Sequence, residues 1–252
     1  KDKTPDTPKN AAELREDAWE WDSGLTEEQI EECTPLRDQL WADLDLLGPT
    51  DKERLDKLVL SGEEQTAVKS ILYRMSLNRR QGSAVIKRKT ALKELIGTYG
   101  LKAADLVVKQ LSGDNLWSLR MASEAIAQLS TKGEKDEAKW LFYHYKAPAE
   151  LVRLLEHQGE SDSPWIRQDA AKALAAVTGQ TFGWNMPDKP DSMRSTIETK
   201  SFRRWRDWWK RFGPWWENRE KENAEKRVKL GEDLDNLSKG IAPDGSTPGK
   251  DS

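Results

Sequence analysis

Residues 168–179 read QDAAKALAAVTG, and two earlier stretches follow the same plan: IKRKTALKELIG at 86–97 and RMASEAIAQLST at 120–131. Aligned without gaps, each places a small residue before a large apolar one: Ala91-Leu92, Ala125-Ile126 and Ala173-Leu174. Each adds an apolar residue three positions on: Leu95, Leu129 and Val177. Spacings of three and four keep such residues on one side of an α-helix. The small ones let neighbouring helices approach, and the large ones fill the gaps between them. The copies start about 34 and then about 48 residues apart, within the range of helical repeats joined by loops of varying length. A shorter helical segment precedes each copy, at 67–77, 103–111 and 149–157.

Paired helices with this pattern resemble HEAT repeats, relatives of the armadillo fold. The last copy carries the clearest match. Pro164-Trp165-Ile166-Arg167, then Ala170-Ala171 and Ala173-Leu174, is similar to the family's short turn, Val-Arg, then Ala-x-x-Ala-Leu. The run TGQTFG at 178–183, a loop, and Trp205-x-x-Trp208-Trp209 resemble the C-terminal end of many bacterial HEAT-repeat proteins. The resemblance spans about residues 65–216. The earlier copies depart from it in lacking Val-Arg, and residues 132–146 form an insertion. It implies an all-α fold: a short HEAT/armadillo-like α-solenoid of about three helix pairs, with a rigid surface suited to binding a partner.

Outward from the repeats, residues 1–12 read as a flexible tail and 13–62 as an N-terminal helical extension. Within the extension, residues 11–21 suit a short helix. Thr26 with Gln29 makes a capping box, Pro35 restarts the chain, and Gly48-Pro49 ends a helix bearing Leu36, Leu40, Leu44 and Leu47. Thr50-Asp51 opens another helix, carrying Leu55, Leu58, Val59 and Leu60. The repeats occupy 63–180, a loop 181–200, a Trp-rich capping helix and a charged helix 201–239, and a disordered tail 240–252. Gly213-Pro214 interrupts the Trp-rich helix, and residues 217–237, rich in charge, read as a projecting helix.

Five of the 12 tryptophans lie between positions 205 and 216. At about 100° per residue, Phe202, Trp205, Trp208, Trp209 and Phe212 share an arc of about 120°. Arg203, Arg204, Arg206, Lys210 and Arg211 take the other side, with Asp207 among them. The first reading of this helix is structural: its rings seal the end of the repeat stack, which otherwise exposes an apolar face. The second is nucleic-acid binding through residues 203–211, rings on bases and arginines on phosphates. The third is contact with a membrane surface, and the fourth a protein-binding hot spot. Trp215 and Trp216, beyond Gly213-Pro214, are the rings least explained by sealing. They are candidate partner contacts, with Arg203, Arg206 and Lys210. A second basic stretch, Lys87-Arg88-Lys89 with Arg79-Arg80 nearby, suits an acidic partner or an ordinary solvated face, and Ser83 can cap its helix. Trp19, Trp41, Trp117, Trp140 and Trp165 read as packing residues, with Trp117 and Trp165 at matching repeat positions. Residues 140–145, WLFYHY, suit either a buried helix or a pocket lining.

Charged residues make up 34% of the 252, mean hydropathy is -0.85 and the net charge is -3. Such polarity suits an elongated helical protein and lacks the basic excess of a typical nucleic-acid binder. Cys33 is the single cysteine, so no disulfide within the chain is possible. With only His144 and His157 it makes no zinc pattern, and no cofactor is expected. No phosphate loop or nucleophile elbow occurs. The resemblance admits chemistry of the HEAT-like DNA glycosylase kind, but no motif here matches it. The expected function is a non-enzymatic scaffold or adaptor that binds another protein. Nucleic-acid binding, or service as a non-catalytic subunit of an enzyme complex, stands as the alternative. No apolar run is long enough to span a bilayer. The first residue, Lys1, is not methionine, and the polar opening with Pro5 and Pro8 suits a linker after an exported leader. The expected compartment is therefore periplasmic or otherwise exported, with the cytoplasm as the alternative.

Overall fold

The computed structural model describes Trp21 and residues 24–77, 82–132, 135–157, 163–182 and 196–247. Among them the regular elements are all helical: α1 (Glu27–Leu47), α2 (Asp51–Asp56), α3 (Gly62–Met75), α4 (Gly82–Glu94), α5 (Ala104–Lys109), α6 (Leu116–Thr131), α7 (Lys135–His144), α8 (Ala147–Leu155), α9 (Ser163–Thr178) and α10 (Thr196–Ser238). They form two compact units. One is Leu58–Trp216; the other joins the described residues up to Lys57 with those from Glu217 onward. The expected helix at 11–21, apart from Trp21, lies outside the described residues, as do Trp19, Arg79-Arg80 and the loop residues 183–195.

In the larger unit the three self-similar stretches fall on α4, α6 and α9, and α3, α5 and α8 precede them. All nine matched positions are buried: Ala91, Leu92, Leu95, Ala125, Ile126, Leu129, Ala173, Leu174 and Val177. The pattern therefore marks the core side of each helix, as the spacing predicts. α6 packs against α3, α4, α5, α7 and α9. Beyond Glu94 the chain continues as a π-helical turn, Leu95–Tyr99. The reversal comes at Gly100, where φ is +50°, a conformation glycine adopts at little cost. The Ser83 expectation also changes: α4 begins at Gly82, which puts Ser83 inside the first turn.

Two buried arginines close helix ends in this unit. Arg88 Nη1 on α4 donates to the Leu77 carbonyl at 2.6 Å, just past α3. Arg167 Nη1 on α9 donates to the His157 carbonyl at 3.0 Å, just past α8. The last carbonyls of a helix lack intrahelical donors, and a guanidinium from the next helix supplies one. Arg88 is only 2% exposed; it is not part of an exposed basic face with Lys87 and Lys89. Burial pushes its pKa below the usual arginine value, and the nearby Arg120 charge adds to this.

The smaller unit corrects four sequence expectations. Thr26 and Gln29 form the expected capping box, but Pro35 does not restart the chain, because α1 runs unbroken through it. Proline removes one helical hydrogen bond. Cys33, Leu40 and Leu44, buried on one face, hold both halves of α1 against a common core. Thr50 caps α2 with Glu53, yet that helix stops at Asp56; Val59, exposed, and Leu60, buried, follow in irregular chain that already belongs to the larger unit. The highly charged stretch after Glu217 does not project. Its Leu234 and Leu237 are buried with Cys33, Leu40 and Leu44, and Trp21, Trp41 and Leu230 pack around them. Arg227, also buried, donates to the Leu47 and Gly48 carbonyls at the end of α1 (3.2 and 3.0 Å). Arg219 grips both carboxylate oxygens of Asp51 (2.8 and 3.0 Å). Burial raises the pKa of the adjacent Glu220, and the Asp51 charge raises it further. Finally, residues 241–247 form a turn closed by Ala242 N–H to Ser246 O (2.9 Å) rather than featureless chain. Gly240 makes this possible. Its φ is +74°, and a Cβ there would meet Leu25 Cδ2 at 2.6 Å.

Gly213-Pro214 likewise fails to interrupt α10, which is continuous from Thr196 to Ser238. Phe212 and Trp216, on either side of Pro214, both pack against Tyr143. Trp209 lies over Gly213, where an added Cβ would sit 3.1 Å from its Cε2 atom. The glycine is the space that the indole fills.

If the charged part of α10 is a packing element, Leu237→Ala should cost about 2–5 kcal/mol. Val228→Ala, at an exposed position of the same helix, should stay within about 0.5 kcal/mol. Urea denaturation of the two variants measures the contrast; equal small effects would return this stretch to a solvated helix.

Candidate functional site: an aromatic face and a tryptophan–arginine groove

The aromatic arc of α10 turns inward in the larger unit. Trp205 is fully buried, with Phe182 edge-on to it at 5.7 Å between ring centroids. Tyr143, on α7, is the centre of the remaining rings. Its centroid lies 4.9 Å from Trp216, 5.2 Å from Phe212, 6.3 Å from Trp208 and 6.4 Å from Trp209. These separations match the offset and tilted geometries aromatic rings prefer. WLFYHY at 140–145 thus supplies a buried helix face: Trp140, Leu141, Phe142 and Tyr143 are all buried, and His144 stacks on Trp140 at 5.4 Å. Burial pushes the Tyr143 phenol up to about 12.

The pair singled out beyond Gly213 separates. Trp216 packs on Tyr143. Trp215 is 57% exposed, in contact with Phe212 at 5.2 Å. Of the basic candidates, Arg203 and Lys210 are exposed, whereas Arg206 is tied to Glu156 at 2.8 Å. Arg204 and Arg211, on the stripe shared with Trp208 and Trp215, face a cleft also lined by Phe182, Asp207 and Phe212, with a volume of about 640 Å³. Phe182 stands in the left-handed region, φ +47°, which is rare for a bulky residue. Its carbonyl accepts from Ser201 Oγ and from Arg204 Nη1, both at 3.2 Å.

A second concavity, of about 340 Å³, lies across the self-similar helices. α4 contributes Lys89, Leu92 and Lys93, α6 contributes Trp117, Arg120, Met121, Glu124 and Gln128, α9 contributes Asp169, and Lys132 closes one end. The two tryptophans at matching repeat positions meet here through arginine. The Arg120 guanidinium lies 5.2 Å from the Trp117 ring and 5.3 Å from the Trp165 ring, and Arg88 covers Trp117 at 3.7 Å. Such cation–π contacts are worth about 0.5–2 kcal/mol each. Arg120 Nε also donates to Asp169 Oδ2 at 2.6 Å. Burial raises the Asp169 pKa, and Arg120 opposes that rise. The matching tryptophans therefore share a cation-stacking role rather than a place in the core; Trp165 is 36% exposed.

Sequence reasoning missed Arg120, Met121 and Asp169 as groove residues. The available signal was Trp117-x-x-Arg120 at the start of the second copy, matched by Trp165 at the start of the third. Asp169 carries no pattern that marks it in advance. Among the described residues no cluster of His, Cys, Asp and Glu is arranged to hold a metal ion, and no helix is long and apolar enough to cross a membrane. Comparison with models of known families, with curated proteins and with solved structures finds no match to this chain.

The raised Tyr143 pKa has a signed consequence. Below pH 10 the phenol is neutral in folded and unfolded chains alike. Between pH 10 and 12 the unfolded chain ionises Tyr143 while the folded one keeps the proton, so stability falls as pH rises, by roughly 2–3 kcal/mol at pH 12. Tyr143→Phe should lose less stability than the natural chain over that window in chemical denaturation. Identical pH profiles would refute the burial of this ring.

Proposed function

We propose that this protein is a non-enzymatic adaptor that binds another protein through the surface of its repeated helices. In this reading α3 to α9 form a short HEAT/armadillo-like stack, and the groove across α4, α6 and α9 receives an acidic, partly apolar segment of the partner. The observation that carries the proposal is the groove's origin: its lining comes from the three helices that share one sequence pattern. Apart from Leu92, which also edges the groove, their matched apolar positions are spent on the core, so the residues that differ between copies are mostly the ones left to meet a partner.

The groove's chemistry suits that segment. Leu92, Trp117 and Met121 offer apolar and polarisable contact. Asp169 is engaged by Arg120, and Glu124 accepts from Gln128 Nε2 at 2.7 Å. Lys89, Lys93 and Lys132 make no ion pair among the described residues, which leaves the rim positive and steers an acidic ligand toward it. Arg120 is held in place by Asp169 beside the Trp117 and Trp165 rings before any partner arrives, which lowers the ordering cost of binding. Trp and Arg are the residues that dominate protein-binding hot spots.

A photoreactive benzoylphenylalanine at Met121 tests this in a lysate of the native host. The expected product is a discrete protein adduct, absent when the probe sits at the exposed Val59 and strongly reduced by Lys89→Glu with Lys93→Glu. Nucleic-acid adducts, or the same products from both probe positions, would overturn the proposal.

A further inference from the structure

The cleft on the first half of α10 is a separate structure with its own chemistry. Arg204, Trp208, Arg211 and Trp215 stand at i, i+4, i+7 and i+11, a single stripe along the helix. Phe182 and Phe212 complete the lining with Asp207. Three features set it apart from an ordinary solvated face.

The first is shape. Trp208 and Phe212 are stacked at 5.0 Å with 14° between their planes, and Trp215 continues the wall 5.2 Å from Phe212. The rings give flat apolar surface beside open space of about 640 Å³, within the range of about 300–1,000 Å³ typical of small-molecule sites. The second is charge. Arg204 donates to the Phe182 carbonyl, and Arg211 Nε donates to the Asp207 carbonyl at 3.3 Å. Both guanidiniums are thus spent on neutral acceptors, and their positive charge is left for a ligand. The carboxylate of Asp207 lies 3.9 Å from Arg206 Nε instead. The third is backbone strain at the mouth. Phe182 is held at φ +47° by the two donors to its carbonyl and by its ring contacts with Trp205 and Trp208. Strain of this kind persists only where surrounding contacts over-determine it, and it concentrates at functional sites.

From these features we infer that the cleft binds a small aromatic anion. Its ring lies against Trp208, Phe212 and Trp215, and its anionic group meets the free N–H donors of Arg204 and Arg211. Guanidinium forks favour carboxylate and phosphate groups, and aromatic walls accept planar rings of any kind. The inference is independent of the groove on α4, α6 and α9 and of any protein partner there.

The probe is 1-anilinonaphthalene-8-sulfonate, with neutral N-phenyl-1-naphthylamine as the same ring system without the charge. Titration into the full-length protein, followed by dye fluorescence, should give one saturable site that prefers the anion. Arg204→Gln with Arg211→Gln should weaken the anion about tenfold or more and leave the neutral dye nearly unchanged. Arg211→Gln alone spares the contact to Phe182 and should still weaken the anion severalfold; Trp215→Ala should weaken both dyes. Arg203→Gln with Lys210→Gln, on the other face of α10, should change neither. Displacement by adenosine monophosphate would assign a phosphate ligand, and displacement by indole-3-acetate a carboxylate. The inference is overturned if the two dyes bind equally, if the Arg203/Lys210 variant loses as much affinity as the Arg204/Arg211 one, or if neither competitor displaces the dye.

Discussion

Tyr143 is the contact on which the arrangement of the larger unit turns. One ring on α7 meets four rings of α10, and those four are the rings that would otherwise leave a broad apolar stripe in water. Burying aromatic side chains of this size is strongly favourable, at about 25 cal/mol per Å² of apolar surface. That term seats the amphipathic helix in one rotation. The rotation then decides everything on its flanks. Trp205 goes fully inside, Trp215 stays outside, Arg206 reaches Glu156, and Arg204 and Arg211 border a cleft. A helix turned by one residue, about 100°, would present a different set.

Arginine solves a second problem repeatedly. Every helix ends with carbonyls that lack donors, and in a chain built of many short helices those ends are numerous. Arg88 and Arg167 answer this in the larger unit, and Arg227 does so in the smaller. Each is buried. A buried guanidinium is costly unless its donors are used, so these residues join an end-capping function to close packing. Arg88 adds a stacked ring, Trp117, over its face. The same pairing of guanidinium with neutral carbonyls recurs at Arg204 and Arg211 on the surface, where the positive charge is still accessible.

Two concave surfaces of the larger unit thus share a vocabulary of tryptophan and arginine while differing in what they offer. In the groove of α4, α6 and α9, Arg120 is neutralised by Asp169 and locked between two indoles, and the free charge belongs to flexible lysines at the rim. That is a preorganised floor with an adaptable border, suited to a polypeptide. In the cleft of α10 the arginines themselves carry the free charge beside stacked rings, an arrangement suited to a compact planar anion.

Helical class, the buried face of each repeated helix and the inward face of the Trp-rich helix were determined by the sequence alone. These depend on the spacing of apolar residues along one segment, and a period of 3.6 is visible without knowing what the segment meets. The capping boxes at Thr26 and Thr50 were local in the same way. What only the tertiary structure decided were the features set by partners distant in the chain. Pro35 and Pro214 mark breaks by local rule, yet contacts on either side carry α1 and α10 through them. Leu230, Leu234 and Leu237 form a narrow stripe in a segment dominated by charge, and their burial depends on meeting α1 almost two hundred positions earlier. Arg88 looks like one member of an exposed basic triplet until the end of α3 and the face of Trp117 are brought to it. The groove and the cleft were hidden for the same reason: a concave site is a relation between helices, and periodicity within one helix says which way a side chain faces, not what faces it.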